Sequence, residues 1–379
     1  MLDLASQHSL DLGYRWNPSK CAILNASSIT SSSSTDFAFT LYGQAIPTVE
    51  QFTYLGMEFA KKGLYAPGIL EKRSSGAIKT MALLNSIGVN RNGFSLLFCS
   101  KLYSCFIRPK FEYGFAISRF RAPEMKALEG LQNKLVSMFL SSNHTTVAKH
   151  ITCIPGIIHR YNSLVTKFVL RSQFLPDDSL LVLLRDSLRY SRLNDFLKNN
   201  VLYISIPPHA LHSSDLLRTH FKQFRQQRCD DQRLVYARNG TNVLLRACHA
   251  DTTKPDPILY LPMNNCARSR LVRWRLGRFT AMARNECPCA DFGALISREH
   301  FLTCRAIDRD LLDSLPVAPP GVNRIDFAIS SLPKKAKSGP PKYWESLLTF
   351  LWYVDTLCHP NKNIPPDPSP GNSWYQYPK

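Results

Sequence analysis

Alternating apolar and polar residues predict a small β-sheet near the start of the chain. The segment DFAFTLYGQAIPTVEQFTYLGMEFA alternates around Gly43-Gln44, which predicts a β-hairpin followed by a third strand from Phe52 to Phe59. Before it, a polar helical pattern covers residues 2–12, and the turn residues Asn17-Pro18 separate a short strand from a second one. The serine-rich tract at 26–36 predicts a loop, because serine side chains compete with backbone pairing.

The pattern changes to a helical period from Pro67 onward. Apolar residues recur there with helical spacing at Ile69, Ala77, Met81 and Leu84. Further helical patterns cover the segments 93–113, 123–142, 155–175, 178–198, 209–235, 265–285 and 340–357. Proline-rich stretches at 316–320 and 360–379 predict a linker and a tail without regular structure. We therefore predict a mainly α fold with a small antiparallel β-sheet near the N-terminus (α+β).

Composition and charge indicate the kind of partner. The chain has 379 residues, of which 44% are hydrophobic, enough for a sizeable core in two or three units. Lys and Arg number 47 against 28 Asp and Glu, so the formal net charge is +19. This excess favours a polyanionic partner, with nucleic acid ahead of an anionic membrane. Since no apolar run is long enough to span a bilayer and no signal-peptide pattern opens the chain, we expect an intracellular protein without membrane association, in the nucleus or cytoplasm.

The cysteines contain the most specific motif. Eleven cysteines without export signals predict reduced thiols or metal ligands. In ECPCADFGALISREHFLTC, Cys287 and Cys289 are followed after ten residues by His300 and Cys304. Residues four apart share one helix face, so this spacing predicts a Cys3His shell for a structural Zn²⁺ with no open position. The alternative is that these cysteines are buried apolar side chains. Three nearby residues are substitute ligands if one of the four is wrong: Cys248, His249 and Cys266.

A basic segment precedes this motif. No acidic residue occurs between Leu261 and Asn285, whereas arginines accumulate there. On a helical wheel, apolar residues such as Val272 and Met282 share one side and arginines the other. We predict a basic amphipathic helix whose guanidinium groups bind phosphates, and whose tryptophan stacks on an unpaired base or an arginine. The predicted contacts are Arg270, Arg273, Trp274, Arg278 and Arg284. The absence of interleaved Glu favours a phosphate partner; the alternative is an ordinary helix with a solvated charged face.

Paired carboxylates of the kind that hold two divalent ions in polymerases occur only at Asp177-Asp178 and Asp230-Asp231. Pro176 and the lack of flanking strands argue against a catalytic turn at the first pair, so we predict that Asp178 caps a helix before Leu180. The second pair lies among arginines on a helical stretch, which predicts salt bridges. We therefore predict no catalytic carboxylate dyad in this chain.

The order of the motifs resembles the C-terminal half of reverse transcriptases from non-LTR retrotransposons. GYRWNPSKCAIL is followed by FTYLGMEF, a basic helix, KLYSCFIRPKFEYG and, far downstream, the Cys/His motif. The resemblance covers residues 1–120 well, 265–305 moderately and the segment between them weakly. It implies five regions: a palm remnant with motif D and primer-grip strands (1–62), a helical thumb (63–122), a helical linker (123–260), a basic helix with a zinc-binding module (261–310), and a C-terminal helix with a Pro-rich tail (311–379).

The resemblance also implies roles for individual residues. Lys20 matches the motif D lysine, which assists proton transfer to the departing pyrophosphate. The primer grip, which positions the primer end, matches Phe52, Tyr54, Leu55 and Gly56. The thumb helix that follows the template–primer backbone carries Lys72, Arg73 and Lys79, whose charge suits this role without the analogy. The thumb signature matches Tyr103, Arg108, Pro109, Tyr113 and Gly114.

One departure from the family limits the expected activity. Its fingers and its metal-binding palm aspartates would lie before Met1. We therefore expect a truncated reverse transcriptase (RNA-directed DNA polymerase) fragment that binds RNA, DNA or their hybrid but is inactive alone, Mg²⁺ being required only in a full-length parent. Its first strands would then present an exposed sheet edge. The alternative is a freestanding zinc-stabilised helical protein-interaction protein without nucleic-acid function, whose basic charge serves an acidic protein partner or solubility.

Overall fold

A computed structural model gives the fold. It describes residues 1–25, 39–61, 63–140, 144–172, 174–179, 200, 204–207, 213–238, 243–248, 254–279, 286–289, 293–335, 338–367 and 369–374. The predicted fold class is confirmed: the chain is mainly helical, with small β-structures near the N-terminus. Within these ranges, no helix is long and apolar enough to cross a membrane.

The N-terminal β-structure consists of several short pieces. After helix α1 (Leu2–Asp11) come β1 (Ile23–Leu24), β2 (Thr40–Leu41), β3 (Gln44–Ala45), β4 (Thr48–Val49), β5 (Gln51–Tyr54), β6 (Met57–Ala60) and β7 (Gly63–Leu64). β2 and β3 form the predicted antiparallel hairpin, whereas β1 and β4 pair in parallel. The short strand expected before Asn17 does not form, and a 3₁₀ turn at Pro18–Lys20 leads into β1 instead.

The predicted third strand, Phe52 to Phe59, is wrong in one respect. The chain reverses within it, so that β5 and β6 form a second antiparallel hairpin in which Phe52 lies opposite Phe59. The reversal occurs at Leu55 and Gly56, whose φ angles of 48° and 73° are both in the left-handed region. Glycine adopts this region readily, but leucine does so only under steric strain. Alternation of apolar residues does not reveal such a turn, because strand-like residues continue through it.

The segment predicted as a thumb is helical. α2 (Ala66–Ser86) buries Ile69, Ala77 and Met81, as its periodicity predicts. α3 (Leu96–Leu102) continues through a π-helical turn at residues 103–107 into α4 (Arg108–Glu112). Pro109 has no N–H to donate to the carbonyl four residues before it, which accounts for the wider turn at this point.

The remaining helices surround two large cores and a small third cluster of buried residues. They are α5 (Ala122–Leu140), α6 (Thr145–Ile151), α7 (Ile157–Ser172), α8 (Ser214–Arg238), α9 (Val243–Arg246), α10 (Asn265–Arg275), α11 (Arg298–Phe301), α12 (Arg309–Asp313), α13 (Arg324–Ser330) and α14 (Trp344–Cys358). The N-terminal core is formed by buried residues from α2 to α7, joined by Leu245, Cys248 and Leu276. The C-terminal core extends from Ile258 to Trp374. It includes residues from both of the regions, 261–310 and 311–379, that the resemblance implies.

Several helix predictions extend outside the described residues, and two of them differ most from what the structure describes. The helix predicted at 178–198 lies there almost entirely, so the proposed Asp178 cap has no described helix to cap. The helix predicted at 265–285 ends at Arg275, because the chain turns at Gly277, whose φ is 62°. Residues 280–285 are not described, so Arg284 has no structural account.

The predicted tail is packed on the C-terminal core. A 3₁₀ turn at Pro370–Ser373 brings Trp374 against Trp344, with ring centroids 4.9 Å apart in an edge-on arrangement. Trp374 is only 6% exposed and pairs with Met263 in an isolated β-bridge. The tail was predicted to lack regular structure, and its described part has none beyond this turn; it is packed nevertheless, because two aromatic side chains bury enough apolar surface to hold a proline-rich segment.

Candidate metal centre and nucleic-acid interface

The four predicted metal ligands lie together. Cys287 Sγ is 3.9 Å from Cys304 Sγ, and Cys289 Sγ is 3.4 Å from His300 Nε2. All four ligand atoms lie within 4.8 Å of one another. In a tetrahedral site with Zn–S bonds of about 2.3 Å, two sulfurs would be about 3.8 Å apart. The cluster can therefore hold a metal ion, and its donor set is compatible with Zn²⁺.

Local hydrogen bonds position the two halves of this cluster. A β-bridge between Glu286 and Leu295, together with a 2.7 Å bond from Cys287 N–H to the Ala294 carbonyl, holds the Cys-x-Cys half. On the other side, the Ser297 hydroxyl caps α11 by accepting the N–H of His300 at 3.0 Å. Backbone hydrogen bonds therefore help to position both pairs of ligands.

Cys304 reaches the cluster in a way that its spacing did not predict. We expected His300 and Cys304 on one helical turn, but α11 ends at Phe301 and Cys304 follows a turn beyond it. In that turn, the N–H of Thr303 donates to the carbonyl of His300 at 2.9 Å. The substitute ligands are not needed: Cys248 is buried in the N-terminal core, Cys266 is exposed, and His249 lies outside the described residues.

Burial favours the neutral form of two of the thiols. It raises the pKa of Cys287 to about 12 and also raises the pKa of Cys304. A coordinated metal ion acts in the opposite direction, because it binds the thiolate and displaces the proton. Metal binding by Cys287 and Cys304 would therefore release protons to solvent.

The basic helix α10 lies inside the C-terminal core. Trp274 is 1% exposed, its ring contacts Phe279, Phe301 and Phe350, and its indole Nε1–H donates to Asp326 Oδ1 at 2.7 Å. The prediction that Trp274 stacks on an unpaired base is therefore wrong. An arginine does stack on it, but from another helix: the guanidinium carbon of Arg298 is 5.1 Å from the ring centroid.

Most described arginines of this helix have partners within the protein. Arg270 Nε and Arg273 Nη2 donate to the same oxygen of Asp355, at 2.9 and 2.7 Å. Arg275 is fully buried and lies 3.6 Å from Asp256. The prediction that Arg270 binds phosphate is wrong, because it is buried, and the carboxylate that holds it also pairs with Arg273. Arg278 lies half-buried just after the helix.

Sequence reasoning missed these carboxylates. Asp326 and Asp355 lie 52 and 85 residues beyond Trp274 and Arg270, respectively, their partners. Arg298, which donates to Asp326 Oδ2 at 2.9 Å and to the carbonyl of Trp274 at 2.6 Å, was also not selected. No local pattern signals such distant pairs. The segment 261–285 does lack acidic residues, but the tertiary structure brings carboxylates from other segments to its arginines.

The primer-grip match forms the tip of the β5–β6 hairpin. Tyr54 and Leu55 are 59% and 72% exposed at this tip, and Phe52 is half-buried beneath it. The Tyr113 hydroxyl donates to the carbonyl of Leu55 at 2.8 Å, and Arg73 Nη2 donates to the carbonyl of Gly56 at 2.6 Å. Three separate sequence motifs therefore meet at one exposed turn.

Contacts among these residues make the tip rigid. The Arg73 guanidinium lies over the Tyr113 ring, 4.4 Å from its centroid. A Cβ added at Gly56 would lie 3.0 Å from Arg73 Nη2, so a side chain there would displace the guanidinium. Together with the strained backbone of Leu55, this arrangement holds two large apolar side chains towards solvent.

The other residues matched to the family are distributed as follows. Lys72 and Lys79 are exposed on α2, seven residues apart and so on one helix face, with Lys72 Nζ 3.6 Å from Glu58. Lys20 is exposed at the end of the 3₁₀ turn. Tyr103 is buried and donates to Gln132 at 3.3 Å, so it is a core residue. Of the acidic pairs, Asp230 accepts a hydrogen bond from Gln226 on α8.

No protein-family model, curated protein or solved structure matches the chain. The resemblance to non-LTR reverse transcriptases thus depends on the motifs quoted above.

Proposed function

We propose that this chain is the C-terminal part of a non-LTR retrotransposon reverse transcriptase, and that it binds RNA, DNA or their hybrid through the β5–β6 hairpin tip and α2. The observation that supports this most is the meeting of three motifs at one place. The tip of FTYLG is held by Arg73 from the basic helix and by Tyr113 from KLYSCFIRPKFEYG. These motifs occur along the chain in the order that the family uses, and they also lie together in space.

The proposed surface has the chemistry that nucleic-acid binding requires. Tyr54 offers an exposed aromatic face for stacking, and Lys72 and Lys79 offer charges for phosphates along one face of α2. The residues present bind and orient a nucleic acid; the carboxylates that would hold Mg²⁺ belong to the expected full-length parent. In the C-terminal region, we propose that Cys287, Cys289, His300 and Cys304 hold a structural Zn²⁺.

A second function is favoured by the C-terminal region. There the arginines pair with internal carboxylates, so part of the positive charge serves folding. A zinc-stabilised helical protein that binds an acidic protein partner would have this property. It would gain affinity from shape and apolar burial and not from counterion release.

Binding to an RNA/DNA primer–template hybrid over a range of salt concentrations tests the proposed function. Anisotropy titrations would compare the wild type with the double variant Lys72→Ala/Lys79→Ala. We expect log Kd to depend steeply on log salt, and the slope to fall by about one for each lysine removed. Because Lys72 is exposed and its Nζ lies 3.6 Å from Glu58, loss of this ion pair should cost little stability.

The matched control is Lys335→Ala/Lys342→Ala, which removes two exposed lysines from the C-terminal region. It should leave affinity and slope nearly unchanged. Equal losses of affinity in both double variants would mean that the nucleic acid is attracted by the overall positive charge and not by a surface on α2. No binding at moderate salt would contradict the nucleic-acid function and favour the protein-binding alternative.

A further inference from the structure

A polar cavity lies between helices of the segment that resembles the family least. It has a volume of about 300 Å³ and is lined from α6, α7 and α8. The lining positions are Thr146, Lys149, His150 and Cys153; Gly156, His159, Arg160 and Ser163; and Arg225, Gln226 and Cys229. Most members of each set recur three or four residues apart, as residues on one helix face do, although Cys153 follows the end of α6 and Gly156 precedes α7. Packed helices normally turn apolar faces of this spacing towards one another, so inward polar faces indicate a site.

Positive charge exceeds negative charge around this cavity. Its lining contains Arg108, Lys149, Arg160 and Arg225, but Glu129 is its one carboxylate. Lys149 pairs with Glu129, whose other oxygen accepts the N–H of Ile157 at 2.7 Å. Glu129 is therefore already occupied by a cation and by the N-terminus of α7.

The arginines divide into paired and unpaired members. Arg160 Nε lies 2.8 Å and Arg108 Nε 3.4 Å from the same oxygen of the buried Glu112, so two cations share one carboxylate. Arg225 has no carboxylate within salt-bridge distance among the residues described, although it lines the cavity and is half-buried. Among the described residues, the four cations of this site thus face two carboxylates, Glu129 and Glu112.

Neighbouring groups respond to this charge. Burial and then the charges of Arg225 and Arg160 lower the pKa of His159 to about 4. Burial and then the same two arginines, with Arg171, also lower the pKa of Lys167. Like charges held together in this way repel one another, and an anion among them would relieve the repulsion.

We propose that this cavity binds a phosphate group, through Arg225 and Arg160 with Lys149 and the lining histidines around them. Arginine forks match phosphate oxygens geometrically, and the three helices hold them on rigid backbone. The group can come from a free phosphate ester or from a terminal phosphate of a nucleic acid. The site is separate from the surface proposed on α2, so failure of the Lys72/Lys79 test would leave it unaffected.

Inorganic phosphate is the probe that tests this site. Calorimetric titration of the full chain at constant ionic strength would compare the wild type with Arg225→Gln and Arg228→Gln. Arg225 has no ion pair to lose, and Arg228 is an exposed arginine of the same helix that does not line the cavity. We expect Arg225→Gln to raise the Kd about tenfold or more, and Arg228→Gln to leave it unchanged.

Two results would overturn the proposal: no phosphate binding by the wild type at millimolar concentrations, or equal Kd values for the wild type and Arg225→Gln. Competition with a 5′-phosphorylated oligonucleotide and its 5′-hydroxyl counterpart distinguishes the sources. Displacement of phosphate by the phosphorylated form alone would support a nucleic-acid end as ligand. Displacement by neither would support a free phosphate ester.

Discussion

The hairpin surface of the N-terminal region and the arginine helix of the C-terminal region use positive charge differently. On α2, Lys72 and Lys79 are exposed, and Arg73 donates a hydrogen bond to the exposed hairpin tip. In α10, Arg270 and Arg275 are buried among carboxylates and carbonyl groups. The two regions would be indistinguishable by charge count alone.

The difference shows that the number of basic residues in a segment does not indicate how many charges it offers to a partner, because some are buried with internal carboxylates. Removing a partner from a buried ion pair leaves an uncompensated charge in the core, which costs far more than the loss of a solvated one. The comparison between the two regions therefore predicts that breaking a buried ion pair costs much more stability than removing a solvated charge.

The largest effect is expected from breaking the metal centre. Cys304→Ser should abolish stoichiometric zinc and lower the free energy of unfolding by more than about 3 kcal/mol, because the energy of structural zinc binding is folding energy. Metal analysis and chemical denaturation of the full chain would measure both. Cys266→Ser, at an exposed thiol outside the cluster, is the control and should change neither. A wild type that contains no zinc and is insensitive to chelators would contradict the zinc assignment.

The next largest effect is expected at Asp326. Asp326→Ala leaves the buried Arg298 guanidinium and the Trp274 indole N–H without their partner, so the free energy of unfolding should fall by about 3–5 kcal/mol. Asp313→Ala removes the exposed partner of Arg324 and should cost less than about 1 kcal/mol. Denaturant titration measures both losses of unfolding free energy. Similar losses for the two substitutions would contradict the expected difference between buried and exposed charges.

The smallest effect is expected at the hairpin tip. Leu55 has a φ of 48° and is 72% exposed, so its side chain contributes strain and little packing. Leu55→Gly should be about 1 kcal/mol more stable than Leu55→Ala, because glycine tolerates the left-handed conformation that alanine retains under strain. Denaturation of the two variants gives this difference directly, since both lack the leucine side chain. An alanine variant that is as stable as the glycine variant would mean that the turn relaxes.

The first hairpin turn and the Cys/His cluster were predictable because their signals are local. The Gly43-Gln44 turn, the helical period after Pro67 and the Cys/His spacing each depend on residues close in sequence, and all three are found in the structure. The second hairpin was missed because no polar turn residue precedes Gly56, and the strain at Leu55 is sustained by Tyr113 and Arg73 from other segments.

The sequence by itself determined the fold class, the four residues of the Cys/His cluster and the excess of positive charge. Only the tertiary structure decided where that charge is available. Asp326 and Asp355 neutralise arginines far away in sequence, Trp374 brings a proline-rich segment onto the core, and three helix faces leave Arg225 beside a cavity. The physical reason is that the free energy of a charge depends on its burial and its nearest partner, and both are set by chain segments that local patterns do not connect.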